Sequence, residues 1–142
     1  MTKQPKSRWS IVNGRRGAFQ VLFATVYTLV SVSYLLVPPS PGRSSALSWL
    51  PGAHVHYLGF IWAVVAVVGF VGATLPRPRD RFSFIGLTLA PTIWGFLYLI
   101  GWMLGTSKTG WVTTCLYWAI AGAVMVVSGM QGPSDRDERM AR

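Results

Sequence analysis

Four acids, two histidines and one cysteine are the side chains in this chain suited to acid–base, metal or thiol chemistry. The acids are Asp80, Asp135, Asp137 and Glu138, and none of them interrupts a long apolar run. Proton- or cation-coupled transport relies on an ionisable group held inside a membrane, so that chemistry lacks its residue here. His54 and His56 stand two apart. On a helix such a pair diverges by about 200° and cannot share a metal. In an extended segment they could, but no further His, Cys or acid falls near them to complete a ligand set. Haem would need histidines facing each other at depth, and none is there. A Ser/His/Asp hydrolase is unsupported, because the acids and histidines fall on opposite sides of the apolar runs. Cys115 stands alone in an apolar run, which excludes an intrachain disulfide and reads as a buried structural thiol. No glycine-rich phosphate loop is present. The expectation is a protein without a catalytic centre, a cofactor or a metal.

The composition explains why so few reactive groups remain. The chain has 142 residues, 51% of them hydrophobic and only 12% charged, against about 25% charged in an ordinary soluble domain. Thirteen Lys+Arg against four Asp+Glu leave a net charge of +9. Such a chain cannot cover a water-facing surface with its own polar groups, and it reads as an integral membrane protein with basic ends.

A membrane helix needs about 20 mostly apolar residues. Four stretches qualify, at 18–37, 56–75, 84–104 and 111–130, and none contains Asp, Glu, Lys or Arg. They are apolar around most of their circumference, unlike the one-sided helices of a soluble bundle. Backbone amides in hydrocarbon must pair within their own segment, which makes these stretches helices. The ten-residue alternation of a membrane barrel is absent. The first stretch follows a basic start and precedes Ser44-Ser45-Ala46, as in a signal peptide. It exceeds the about 7–15 apolar residues of a signal core, so a retained span is expected. Proline and glycine clusters punctuate the ends, at 38–42, 51–52, 76–78 and 132–133.

The expected organisation is a basic tail at 1–17, a four-helix transmembrane domain at 18–130 and a charged tail at 131–142. The helices would form two hairpins, one–two and three–four. Eleven cations fall on one side: Lys3, Lys6, Arg8, Arg15, Arg16, Arg77, Arg79, Arg81, Arg136, Arg139 and Arg142. The other side has only Arg43 and Lys108. Positive charge stays cytoplasmic, so both termini are expected on the cytoplasmic side of the inner membrane. Arg15, Arg16, Arg77, Arg79 and Arg81 are expected on anionic lipid headgroups. Their adjacency to spans favours lipid over nucleic acid as the partner.

Small residues four apart let helix backbones approach closely. Gly69/Ala73, Gly86/Ala90, Gly101/Gly105 and Ala119/Ala123 are such pairs. Gln20, Ala24, Thr28 and Ser31 share one face of the first span, which is expected to pack inward or on a partner. Pro91, between Thr88 and Thr92, should kink the third span, with threonine hydroxyls satisfying the freed carbonyls. Tyr34, Trp49, Tyr57, Trp102 and Trp111 are expected at the outer interface, and Trp62, Trp94 and Trp118 between helices.

The short basic N-terminus, the connector at 76–81, the Trp- and Gly-rich third span and the charged C-terminal stub resemble small four-span membrane proteins of actinobacteria and their phages. Some of these are holin-like. The resemblance covers the plan of the whole chain and implies a non-enzymatic protein that self-associates in the bilayer, with membrane permeabilisation as its sharpest form. The alternative is an accessory or scaffold subunit of a larger membrane complex. A small multidrug exporter is disfavoured, because the first span lacks the acid that family requires.

Overall fold

A computed structural model describes residues 14–50, 57–76 and 79–130, and within them the chain is all-α. The helices are α1 (Gly14–Leu35), α2 (Pro41–Ala46), α3 (Leu58–Thr74), α4 (Arg81–Met103) and α5 (Gly110–Gly129). Three of them, α1, α4 and α5, are long and apolar enough to cross a membrane. The apolar α3 is shorter, at 17 residues, or about 26 Å against a hydrocarbon core of about 30 Å.

The helix ends depart from the apolar stretches for local reasons. The first turn of α1 takes in Arg15 and Arg16, ahead of the apolar run. It stops at Leu35, ahead of Val37, whose helical conformation Pro38 disfavours. Leu75 is extended (φ −81°, ψ 140°) at the end of α3, as befits the residue before Pro76. Residues 38–42 were read as punctuation, yet Pro41 opens α2. Proline suits the first helical position, and the Ser40 side chain accepts a hydrogen bond from the Arg43 amide.

α1 packs along α3, α4 along α5, and α3 joins the two pairs by packing on α4. The buried positions explain how. In α1 they are Gly17, Gln20, Ala24, Tyr27, Ser31 and Tyr34. In α3 they include Gly59, Trp62, Ala66, Gly69 and Ala73. Both series advance by alternating steps of three and four, the 3.5-residue seam of helices crossing at a shallow angle. Leu87, Pro91, Trp94, Tyr98 and Gly101 continue the pattern on α4. The seams mix small residues with aromatic ones. A Cβ added at Gly69 would lie 3.0 Å from Cβ of Ala24 and 3.1 Å from Leu87. The space beside these close approaches is filled by Tyr27, Trp62 and Trp94, with successive ring centroids 4.9 Å apart in edge-to-face pairs.

Tyr27 also resolves the proline problem. Pro91 has no N–H for the carbonyl four residues earlier, which is that of Leu87. The Tyr27 hydroxyl donates to that oxygen at 2.7 Å, from a different helix. Thr88 and Thr92 were expected to perform this repair. Their hydroxyls bond instead to the carbonyls of Phe84 and Thr88, which already have helical donors.

Candidate functional site

The start of α1, the start of α4 and the end of α5 meet at one end of the bundle, and Arg16 ties them together. Its Nε donates to Oδ2 of Asp80 at 3.1 Å. Its Nη1 donates to the carbonyls of Ser128 at 2.7 Å and Met130 at 3.3 Å. Those carbonyls belong to the C-terminal end of α5, where the helix dipole favours a cation. The guanidinium lies 4.7 Å from the centre of the Phe84 ring.

Asp80 flanks the first turn of α4 but does not cap it with its side chain. Its carboxylate turns to Arg16 and is only 3% exposed. Gln20, one turn beyond Arg16 on α1, donates from Nε2 to Ser83 Oγ at 2.6 Å, and Ser83 donates on to the Asp80 carbonyl at 2.7 Å. The Ser83 side chain occupies the place where a Cβ at Gly72 would lie, so glycine lets α3 approach this cluster. An ion pair, an amide and a hydroxyl thus fasten α1, α4 and α5 at one level, with α3 packed beside them at Gly72. An arrangement of this kind can hold helix ends in register.

The opposite end carries a second polar cluster. Arg43 of α2 donates to the Ser33 carbonyl at 3.0 Å and hydroxyl at 2.8 Å, and its guanidinium lies 4.4 Å from the centre of the Tyr34 ring. The Tyr34 hydroxyl accepts from Trp94 Nε1 at 3.1 Å and lies 3.4 Å from that of Tyr98. Tyr34 is therefore buried at this end of the bundle, whereas Tyr57, Trp102 and Trp111 are exposed.

The residues singled out from sequence separate into groups. Gly69, Ala73, Ala90 and Gly101 are buried, and Gly101 faces the Ala46 carbonyl of α2. Gly86 is half-buried near Val68. Gly105 takes φ +76° in the turn after α4 with open space around it, so its role is conformational. Ala119 and Ala123 are exposed on α5, and so is Cys115, which was read as buried. Thr28 is exposed and Tyr27 takes its place in the seam. Trp62 and Trp94 are buried, whereas Trp118 is partly exposed.

Of the arginines read as headgroup ligands, Arg15, Arg79 and Arg81 are exposed, Arg16 is largely engaged within the protein, and Arg77 lies outside the described residues. So do His54, His56 and three acids, Asp135, Asp137 and Glu138. Among the described residues no three His, Cys, Asp or Glu side chains gather to hold a metal ion. The signal missed in the sequence was Asp80, a lone acid among the arginines of the 77–81 connector. No family model, curated protein or solved structure matches the chain.

Proposed function

We propose that this protein is a non-enzymatic, multi-pass inner-membrane protein that crosses the bilayer four times and self-associates there. The observation that carries the membrane reading is an inverted distribution of polarity. Gln20, Ser31, Asp80, Ser83 and Thr114 are buried, while Leu22, Leu29, Val64, Val67, Leu116 and Val126 are each more than half exposed. In water that arrangement leaves apolar surface far beyond what a soluble monomer carries. In a bilayer it is the expected one, because lipid solvates the apolar faces and the buried polar groups pair inside the bundle, Gln20 Oε1 excepted.

The basic end, with Arg15, Arg16, Arg79 and Arg81, faces the cytoplasm and its anionic headgroups. The end with Arg43 and Lys108 faces outward. Self-association is supported by α5, whose outer face carries Cys115, Ala119, Gly122 and Ala123, all exposed. Residues this small permit close helix approach between copies. The sharpest form of the activity is permeabilisation of the membrane.

Two readouts from one expression experiment test this. A voltage-sensitive dye in a bacterial host making the protein alone reports permeabilisation, and the reading expects an abrupt loss of potential. Oxidative crosslinking through Cys115 reports association, and a dimer is expected that disappears in Cys115→Ser. Crosslinking with an unchanged potential would remove permeabilisation and keep self-association. Absence of both, with the chain confirmed in the membrane, would reject the proposal and favour an accessory subunit, to be sought by gentle detergent pull-down.

A further inference from the structure

A cleft of about 630 Å³ runs along the outside of the bundle between α4 and α5, beginning at the Arg16–Asp80 pair. Its volume lies within the about 300–1,000 Å³ of small-molecule sites. We propose that it holds one anionic phospholipid of the cytoplasmic leaflet, with the phosphate on Arg81 and an acyl chain along α4. The proposal rests on the membrane reading and goes beyond general headgroup attraction, because it assigns one lipid to one place.

Length is the first argument. On α4 the cleft extends from Arg81 to Thr92, a rise of about 16 Å, or half of the about 30 Å hydrocarbon core. The cleft therefore spans one leaflet. Thr92 is the last α4 residue along it, and its carbonyl accepts from Trp118 Nε1 at 3.4 Å.

The walls are those of a chain site. Ile85, Leu89 and Met125 line it, and methionine adapts readily to a flexible occupant. Thr88 and Thr92 also line it, but both hydroxyls donate to carbonyls of α4 at 2.8 Å. Their donors are consumed within the helix, so the middle of the cleft has little to offer a polar ligand.

The mouth selects the headgroup. Asp80 is neutralised by Arg16, whereas the exposed Arg81 has no ion-pair partner among the described residues. Among the described residues one positive charge is left over at the mouth. The first amides of α4 add to it, since the Asp80 side chain does not cap them. The same charge argues against a second copy of the chain in this cleft. Two copies meeting there would bring two Arg81 side chains together, which an anionic lipid avoids.

The test uses the full-length protein in nanodiscs of equal parts phosphatidylglycerol and phosphatidylcholine, with retained lipid read by native mass spectrometry. One phosphatidylglycerol per chain is expected. Arg81→Gln should lower its retention at least about tenfold, the loss of a charge-assisted contact. Arg15→Gln removes an equal charge at the same end but away from the cleft, and should change retention less than about threefold. Leu89→Trp should displace the lipid with Arg81 intact; circular dichroism confirms that each variant keeps its helices. Equal retention of the two lipids, equal loss in the Arg15 and Arg81 variants, or a dimer carrying no lipid would overturn the assignment. A chain that fails to enter nanodiscs would overturn the membrane reading as well; one that enters without preference overturns the lipid site alone.

Discussion

Two side chains do work that their types alone do not announce. Tyr27 supplies the hydrogen bond that Pro91 removes from α4. In a membrane such a bond is worth about 0.6–2 kcal/mol, so Tyr27→Phe should lower stability by that amount in reversible unfolding from mixed micelles. Pro91→Ala restores the amide that Leu87 lacks. The Tyr27→Phe cost should therefore shrink in the Pro91→Ala background, and an undiminished cost would refute the pairing. Arg16 and Asp80 make a second, asymmetric case. Removing Arg16 strands a buried carboxylate, and Arg16→Ala should cost about 3–5 kcal/mol. Asp80→Asn should cost less, because Arg16 keeps the carbonyls of Ser128 and Met130. The reverse order, read in the same unfolding experiment, would show that the pair does not control this end.

Helices were legible in the sequence where hydropathy accumulates over a whole span, and less so where contrast within a span is needed. The seams of α1, α3, α4 and α5 differ from their exposed sides in residue size more than in polarity. Gln20, Ala24 and Ser31 stood out on α1 because they are polar or small among large apolar neighbours. Tyr27 and Tyr34 did not, since an aromatic ring suits a headgroup layer as well as a core. Pairs four apart are an incomplete guide for the same reason: small size alone does not tell a seam within the bundle from its exposed face. Gly101 and Gly122 show the difference. A Cβ at Gly101 would overlap the backbone carbonyl of Ala46, and one at Gly122 meets nothing within 4 Å. Gly101→Ala should destabilise by about 1–3 kcal/mol through overpacking. Gly122→Ala should be neutral or stabilising by up to about 1 kcal/mol through helix propensity. Thermal unfolding in detergent checks both, and equal effects would contradict the packing described.

At the scale of the whole molecule, the antiparallel helices gather Arg15, Arg16, Arg79 and Arg81 at one end and leave Arg43 and Lys108 at the other. The arginine pattern of the sequence carried that asymmetry. It did not reveal that one of those arginines turns inward to a buried acid, because charge counting ignores partners. The inner cluster and the adjoining cleft are products of tertiary packing, assembled from residues as far apart as Arg16 and Met130. The proposed crossing of the membrane, with the arginine end inside, is tested by cysteine accessibility in intact cells, read with a membrane-impermeant maleimide in a Cys115→Ser background. Lys108→Cys, in the turn before α5, should label from outside, and Arg79→Cys, at the start of α4, only after lysis. Labelling of both positions from the same side, or the reverse order, would overturn this topology.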